Sequence, residues 1–440
     1  MKYYSTNGKA PIADLHKAVV KGLAEDRGLY MPEKINKLPK EFFDNIEKMS
    51  FQEIAYTVAS AFFGEDVDPD ALHDIVYDTL QFDCPVVNVK DNIYTLELFH
   101  GPTLAFKDVG ARFMARLLQY FIKQENNHKE VNVLVATSGD TGSAVANGFL
   151  GVDGIHVYVL YPKGKVSPIQ ECQFTTLGKN ITAIEVDGVF DDCQALVKNA
   201  FMDAELNEHM KLTSANSINV ARFLPQAFYY FNAYARMKEI ANTQHLSPNT
   251  QLVMCVPSGN FGNICAALFG HEMGLPIKRF IAANNANDIF YNYLQTGKYE
   301  PKPSKQTLAN AMDVGDPSNF ARIYDLYGKS HAKITSLISG ATYSDEQIKA
   351  TMRECYKDSG YILDPHGACG YQALKDGLQV GEVGVFCETA HPAKFKEKVD
   401  DILGIDVEIP ERPAAFMRGQ KQSVPMSKDF ADFKAFLMKQ

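Results

Sequence analysis

The 440-residue chain lacks tryptophan, long apolar segments and any concentration of basic residues. The missing tryptophan excludes no class of protein. No apolar run approaches the roughly 20 residues that a membrane-spanning helix needs, so we expect no membrane protein. Lysine and arginine are spread along a chain of net charge −9, which argues against nucleic-acid binding because that needs a basic patch. The first residues lack the apolar region of a signal peptide, and we expect a cytoplasmic protein.

Paired cysteine motifs are also missing. None of the eight cysteines has Cys-x-x-Cys spacing, and most lie in apolar or strand-like surroundings, at positions 84, 172, 193, 255, 265, 355, 369 and 387. This pattern is typical of reduced, buried thiols in a cytosolic protein rather than of disulfides or zinc sites. We therefore predict no metal.

The chain is long enough for two or three domains, and its 46% hydrophobic and 22% charged residues are ordinary for a globular protein. Apolar residues at helical spacing predict helices at 12–23, 51–63 and 69–80. From residue 84 onwards, short apolar runs alternate with helical stretches. We expect an N-terminal helical domain over 1–83 and a mostly parallel α/β region over 84–440.

Short apolar runs in the α/β region predict its strands. We predict strands at 94–99, 131–136, 155–160, 181–186, 252–256, 280–283 and 383–387, and helices at 191–202 and 220–237. The charged and proline-containing stretches at 298–306 and 410–425 indicate exposed connections.

One lysine follows a predicted strand and a Gly-Pro turn, at the start of a predicted helix. The run reads His100-Gly101-Pro102-Thr103-Leu104-Ala105-Phe106-Lys107-Asp108. The helix dipole and the apolar neighbours lower the pKa of such a lysine and make it a usable amine nucleophile. The alternative is a solvated surface lysine, which is the usual fate of this residue type.

Two glycine turns each join a predicted strand to a predicted helix. The turn with Gly259 and Gly262 allows close approach of a ligand to the backbone, and the helix amides that follow suit a phosphate that stays bound. The turn with Gly139 and Gly142 adds hydroxyls, from Ser138 and Thr141, that can hold a carboxylate or phosphate. Either turn could instead be a tight connection without a ligand, with the hydroxyls capping a helix.

Three further segments place polar groups after predicted strands. Asn219 and Arg222 lie at a predicted helix start, where Arg222 suits anion capture, although a lone arginine could form a surface salt bridge. Lys165 follows the strand at 155–160 and could face the same cleft or solvent. Thr389 follows the strand at 383–387, where its hydroxyl could bond a heterocycle nitrogen or cap a helix. Ligands of open α/β sheets bind at the carboxyl edge, where these segments converge.

Taken together, the segments resemble the threonine synthase family, which comprises pyridoxal-phosphate enzymes of the tryptophan-synthase-β structural class. The resemblance spans nearly the whole chain and is most specific around Lys107 and in the segment 311–319. It also includes the segments 4–6, 22–24, 28–32, 138–142, 216–219, 258–263 and 388–395.

The resemblance implies a two-lobed pyridoxal-phosphate fold with mostly parallel sheets and an added N-terminal helical domain. It implies a lyase that eliminates phosphate from O-phosphohomoserine and adds water to give threonine, the last step of threonine biosynthesis. Lys107 would form the Schiff base and act in catalysis, and Thr389 would meet the pyridine nitrogen. The cofactor phosphate would be held by Gly259, Asn260, Phe261, Gly262 and Asn263. The substrate's carboxylate and phosphate would be held by Ser138, Thr141, Lys165, Ser217, Asn219 and Arg222.

Some questions stay open from the sequence. Asp140 stands where many relatives of this class have asparagine near the cofactor's O3′, and the extra negative charge there needs an explanation. A phospho-lyase of the same fold would release 2-oxobutyrate instead of threonine. A dehydratase, a cysteine-synthase-like enzyme or a non-catalytic phosphometabolite-binding protein are further alternatives. The sequence does not distinguish a monomer from a homodimer.

Overall fold

The computed structural model describes residues 1–127, 129–247 and 249–440. Three sheets and their flanking helices make up this described part of the chain. No helix within it is both long enough and apolar enough to cross a membrane.

The N-terminal region is not purely helical, contrary to the prediction. It begins with a three-stranded antiparallel sheet in the order β2-β1-β3, made of β1 (Lys2–Ser5), β2 (Ala13–Asp14) and β3 (Tyr30–Pro32). Four helices follow or intervene: α1 (Leu15–Lys21), α2 (Lys40–Asn45), α3 (Phe51–Phe63) and α4 (Pro69–Thr79). The strands are two to four residues long, too short for alternation to reveal them.

A six-stranded sheet forms one lobe of the α/β region. Its order is β12-β11-β10-β13-β5-β4, and all neighbours are parallel except the antiparallel pair β4 and β5. The strands are β4 (Val86–Lys90), β5 (Ile93–Glu97), β10 (Gln251–Pro257), β11 (Arg279–Asn284), β12 (Ile338–Thr342) and β13 (Glu382–Glu388).

A five-stranded, wholly parallel sheet forms the other lobe, in the order β14-β8-β7-β6-β9. Its strands are β6 (Val131–Ala136), β7 (Ile155–Pro162), β8 (Ile181–Val186), β9 (Lys211–Ser214) and β14 (Val424–Met426). The interior strand β6, which lies between β7 and β9, is buried along its whole length, as expected for a parallel strand covered by helices on both faces.

The helices of the α/β region cover these two sheets. They are α5 (Lys107–Gln124), α6 (Asp140–Phe149), α7 (Pro168–Thr175), α8 (Phe190–Met202), α9 (Ala204–His209), α10 (Val220–Phe223), α11 (Ala227–Gln244), α12 (Gly262–Glu272), α13 (Ile289–Thr296), α14 (Phe320–Leu326), α15 (His331–Leu337), α16 (Asp345–Ser359), α17 (Pro365–Gly377), α18 (Lys396–Leu403), α19 (Glu411–Met417) and α20 (Phe430–Leu437). Short 3₁₀ turns occupy Ile46–Lys48, Leu224–Gln226, Asn310–Met312 and Pro392–Phe395.

The seven predicted strands are confirmed within about two residues at each end, a normal uncertainty for element boundaries. The predicted helix at 220–237 is interrupted by the 3₁₀ turn that contains Pro225, because proline cannot donate a helical hydrogen bond. The predicted connection at 298–306 is irregular and exposed, as expected. The stretch at 410–425 differs from the prediction, because it contains α19 and enters β14.

Candidate active site

The predicted site residues lie at the carboxyl ends of strands from both sheets. On the five-stranded sheet, Ser138 and Thr141 follow β6, Lys165 follows β7, and the residues 216–222 follow β9. On the six-stranded sheet, Lys107 follows β5, the glycine loop 258–263 follows β10, and Thr389 follows β13. The site therefore lies between the two lobes, at the edge where parallel sheets bind ligands.

The turn before Lys107 is fixed by backbone hydrogen bonds to the segment that contains Thr389. The Phe106 amide donates to the Thr389 carbonyl at 2.8 Å, and the His391 amide donates to the Leu104 carbonyl at 3.0 Å. Leu104 has a φ of 59°, a left-handed conformation that is uncommon for leucine and that clusters at functional sites. These contacts bring Lys107 and Thr389 together. The cap of the following 3₁₀ turn is His391, not Thr389.

Lys107 is half-buried at the first position of α5. Desolvation lowers the pKa of its amine to about 8, an effect that the Asp140 carboxylate opposes and that the Arg222 and Lys394 charges reinforce. A minor but usable fraction of the amine is consequently unprotonated near neutral pH. Such an amine can act both as a nucleophile and as a proton acceptor.

The negative charge of Asp140 is balanced by a lysine from the other lobe. Lys394 and Asp140 are 1% and 5% exposed, and the lysine Nζ lies 2.6 Å from the Asp140 carboxylate. Gln170 donates to the same carboxylate oxygen at 3.0 Å, while Lys394 also donates to the Thr103 carbonyl at 2.8 Å. Burial alone would raise the pKa of Asp140, but the charges of Lys394 and Lys107 hold it well below its usual range. Asp140 is thus a paired carboxylate, which resolves the question that the sequence raised.

The loop after β6 leaves hydroxyls free at its surface. The Thr137 hydroxyl oxygen accepts hydrogen bonds from the Gly139 and Gly142 amides, at 2.9 and 2.8 Å. Ser138 and Thr141 are half-buried, and their hydroxyls have no hydrogen-bond partner among the described residues. These two side chains are available to a ligand. Lys165, in contrast, is exposed on the turn after β7.

The glycine loop after β10 is shaped by close backbone contacts. A Cβ on Gly259 would lie 2.6 Å from the Ala311 carbonyl oxygen, and one on Gly262 would lie 2.9 Å from the Ser217 Cβ. Phe261, the residue before α12, has a φ of 65°. Asn263 braces the loop by donating to the Pro257 carbonyl and accepting from the Ser258 hydroxyl. The N-terminus of the 11-residue helix α12 therefore lies at the cleft.

These residues fit a pyridoxal phosphate cofactor. Only glycine can occupy positions 259 and 262 without moving backbone or Ser217, and the helix amides beyond them suit a bound phosphate. The lysine with a lowered pKa follows β5, a strand of the same sheet as the glycine loop, and its neighbour Phe106 bonds Thr389.

Two predicted substrate ligands form hydrogen bonds within the protein, Asn219 with its whole side-chain amide and Arg222 with two of its five N–H groups. The Asn219 amide donates to the Val19 and Ser214 carbonyls, and its oxygen accepts from the Ala221 amide as the N-cap of α10. The Arg222 guanidinium donates to the Ala215 carbonyl at 2.6 Å and to the Lys107 carbonyl at 3.1 Å. Both residues thus hold the framework around Lys107.

The sequence interpretation missed Lys394, Gln170 and Arg322 as site residues. Lys394 lay inside a segment that resembled the family, but its role depends on Asp140, 254 positions away in the sequence. Arg322 follows the specific segment 311–319 by three positions. Its burial has no signal in the sequence, since arginine is usually exposed.

Comparisons with known proteins identify the family of this chain. A family model described as "Pyridoxal-phosphate dependent enzyme" matches residues 82–386, so the chain belongs to that class of enzymes. Two further models, "Threonine synthase N terminus" and "Threonine synthase, C-terminal", match residues 2–80 and 367–437. The threonine synthase of Serratia marcescens is 43% identical, covering 100% of this chain and 99% of the relative. The chain belongs to the threonine synthase family.

Solved structures lead to the same family. The crystal structure of threonine synthase from Escherichia coli matches with a TM-score of 0.91 and 43% identity, covering 100% of both chains. The PLP-bound threonine synthase from Brucella melitensis matches with a TM-score of 0.91 and 33% identity, covering 100% of this chain and 99% of that one. The predicted family, fold class and cofactor are confirmed.

Proposed function

We propose that this chain converts O-phosphohomoserine and water to threonine and phosphate, with Lys107 as its catalytic residue. The observation that carries this assignment of roles is the Lys107 amine, whose pKa burial lowers to about 8, in a cleft that also receives two glycine loops. Pyridoxal phosphate, when bound, supplies an electron-withdrawing system that stabilises negative charge on the substrate's carbon atoms.

The cofactor would be held from three sides. The Lys107 Nζ is the amine that would link to its aldehyde, and the backbone of residues 259–263 would hold its phosphate. The Thr389 hydroxyl would meet its ring nitrogen, which is supported by the hydrogen bond that joins Phe106 to the Thr389 carbonyl. Threonine is a neutral partner, and it does not favour a protonated ring in the way that a carboxylate does.

Lys107 would also move protons. Its Nζ accepts a proton from a substrate carbon when unprotonated and returns it to another carbon when protonated. A pKa of about 8 makes both forms available near neutral pH. The Arg222 guanidinium, which bonds the Lys107 carbonyl at 3.1 Å, fixes the backbone from which this amine projects.

The substrate's anionic groups would be bound by Ser138, Thr141, Lys165 and Ser217. The unpartnered hydroxyls of Ser138 and Thr141 support this assignment, and Lys165 is exposed on the turn after β7, at the carboxyl edge of the same sheet. We revise the role of Asn219, because its amide donors are already engaged with backbone carbonyls and it supports the site without binding the substrate directly. Arg222 also stays a proposed substrate ligand, because only two of its five N–H groups donate to carbonyls of the described residues.

Two wider proposals accompany this function. We infer a division into domains over 1–83 and 84–440, supported by the turn that separates α4 from β4. We also propose a cytoplasmic location, since all eight cysteines are free and seven of them are buried.

The test is a product assay. The purified protein, loaded with pyridoxal phosphate, would be incubated with O-phosphohomoserine, and threonine, 2-oxobutyrate and phosphate would be measured together. We expect equal amounts of threonine and phosphate, and neither from the Lys107→Ala variant. Phosphate with 2-oxobutyrate would instead indicate a phospho-lyase. Absence of turnover would contradict the proposal.

A further inference from the structure

Arg322 is a fully buried arginine beneath the proposed site. All five of its guanidinium hydrogens donate to oxygen atoms. The Tyr30 carbonyl accepts two, at 3.2 and 3.1 Å, and the remaining three go to the Ser217 carbonyl at 2.9 Å, the Ile218 carbonyl at 2.6 Å and the Asn319 Oδ1 at 2.8 Å. The guanidinium is therefore completely hydrogen-bonded.

Its positive charge, however, has no negative partner in the described part of the chain. Every acceptor is a neutral carbonyl or amide oxygen, and the only titratable group that acts on it is the Cys265 thiol. The Phe223 ring lies 4.0 Å from the guanidinium carbon. Burial lowers the pKa of Arg322 to about 9, which leaves it charged at neutral pH. A buried charge is costly unless an opposite charge compensates it.

The hydrogen bonds of Arg322 also determine which groups donate and which accept in the hydrogen bonds that link Asn319, Ser217 and Asn260. Because arginine can only donate, the Asn319 side chain must present its oxygen to Arg322 and its Nδ2 to the other side. That Nδ2 donates to the Ser217 hydroxyl oxygen at 3.1 Å. The Asn260 Nδ2 donates to the same oxygen at 3.0 Å. With both lone pairs of the Ser217 hydroxyl occupied, its hydrogen remains free to donate to a ligand.

These hydrogen bonds connect Arg322 to the glycine loop. Asn260 belongs to the loop, and Ser217 is the residue that a Cβ on Gly262 would strike. Cys265, on the first turn of α12, is close enough for the Arg322 charge to lower its thiol pKa, although burial dominates and raises that pKa to about 12. Arg322 thus lies directly behind the helix N-terminus that we assign to phosphate binding.

We propose that Arg322 is a positioning residue that makes this pocket selective for a phosphate monoester. Its uncompensated charge attracts the dianion, and its bond to Asn319 keeps the Ser217 hydroxyl oriented as a donor. The proposal rests on the phosphate role of residues 259–263 in the proposed function. The phosphate could be that of the cofactor or that of the substrate, and the experiment separates the two.

The first experiment measures binding without catalysis. Pyridoxamine 5′-phosphate and pyridoxamine cannot form a Schiff base with Lys107, so their affinities for the apoprotein, measured by titration calorimetry, differ through the phosphate. For Arg322→Met we expect the preference for the phosphorylated probe to fall by on the order of tenfold or more. Pyridoxamine itself should bind as before. Arg279→Met is the matched control, because Arg279 lies at the opposite end of the sheet and bonds Glu382.

The second experiment addresses the substrate. Inhibition of the holoenzyme by inorganic phosphate would be compared between the wild type and Arg322→Met. Weaker inhibition with an unchanged probe preference would assign the pocket to the substrate's phosphate. A lost probe preference would assign it to the cofactor's phosphate. Either result supports the role of Arg322.

Two milder variants serve if Arg322→Met does not fold. Ser217→Ala removes the hydroxyl donor, and Asn319→Asp gives Arg322 a carboxylate and draws the Ser217 hydrogen away from the ligand. Both should reduce phosphate selectivity. The proposal is overturned if both probes weaken equally, or if neither probe preference nor phosphate inhibition changes. Because probe binding needs no turnover, the probe outcomes are independent of the product assay, whereas phosphate inhibition is measured only once that assay shows activity.

Discussion

Lys394 and Arg322 are buried cations beside the proposed active site, and of these two only Lys394 bonds a carboxylate. Lys394 contacts Asp140 at 2.6 Å across the two lobes, whereas Arg322 donates only to neutral oxygens. The first pair adds no net charge to the cleft, but the second cation adds a full positive charge behind the glycine loop. The comparison teaches that burial alone does not define the role of a charged residue. Whether an opposite charge compensates it also matters, because an uncompensated charge can still attract an anionic ligand.

The largest effect is expected from breaking the balanced pair. Lys394→Met leaves the Asp140 carboxylate buried without its cation, which should lower the free energy of unfolding by about 3–5 kcal/mol. The measurement is the urea midpoint of the apoprotein. The double variant Lys394→Met/Asp140→Asn should recover most of the loss. A single variant as stable as the wild type would contradict the assignment of this pair.

A smaller effect is expected from giving Arg322 the carboxylate that it lacks. Cys265→Asp would introduce a negative charge near the guanidinium, so the affinity for pyridoxamine 5′-phosphate should fall by on the order of tenfold. Cys265→Asn has nearly the same shape without the charge and is the control. Equal affinities in the two variants, measured by titration calorimetry, would count against an electrostatic role for Arg322.

The third variant, Asp140→Asn, leaves Lys394 with neutral hydrogen-bond acceptors only, as Arg322 has. Asp140→Asn removes the negative charge that raises the pKa of Lys107, so that pKa should fall below about 8. The unprotonated amine would then persist to lower pH. The pKa can be read from the pH dependence of Lys107 labelling in the apoprotein, with the surface variant Asp358→Asn as control. A rise in the pKa would refute the prediction.

The smallest effect is expected from a lysine two positions further along the chain. Lys396 bonds Asp400 and Asp406 at the surface, where solvent screens the charges and ion pairs contribute little. Lys396→Met should therefore move the urea midpoint far less than Lys394→Met does. Similar shifts for the two variants would mean that burial of the Lys394 pair is not what stabilises it.

The sequence predicted the parts of the site that depend on neighbouring residues. The strand ends, the glycine turns and the start of α5 at Lys107 all follow from local patterns of apolar residues, glycine and proline. These features located the cleft and its central lysine. The short strands β9 and β14 carry little pattern and were missed.

Contacts between distant residues could not be predicted in the same way. Nothing near Asn219 indicates that its amide would bond the Val19 carbonyl, 200 positions away. Similarly, the role of Arg322 depends on Tyr30 and Ser217, which tertiary packing brings to it. The chemical types of these residues suggested a ligand, and only the fold reveals which of them the protein itself already uses.

The last strand of the chain also closes the edge of a sheet. β14 pairs with β8 through Val424–Met426, and Phe433 and Leu437 on α20 are fully buried beside it. A chain cut before β14 would expose the backbone donors and acceptors of β8 as an unprotected edge, which favours self-association. Shortened versions of this enzyme are therefore expected to aggregate even though every proposed active-site residue is retained.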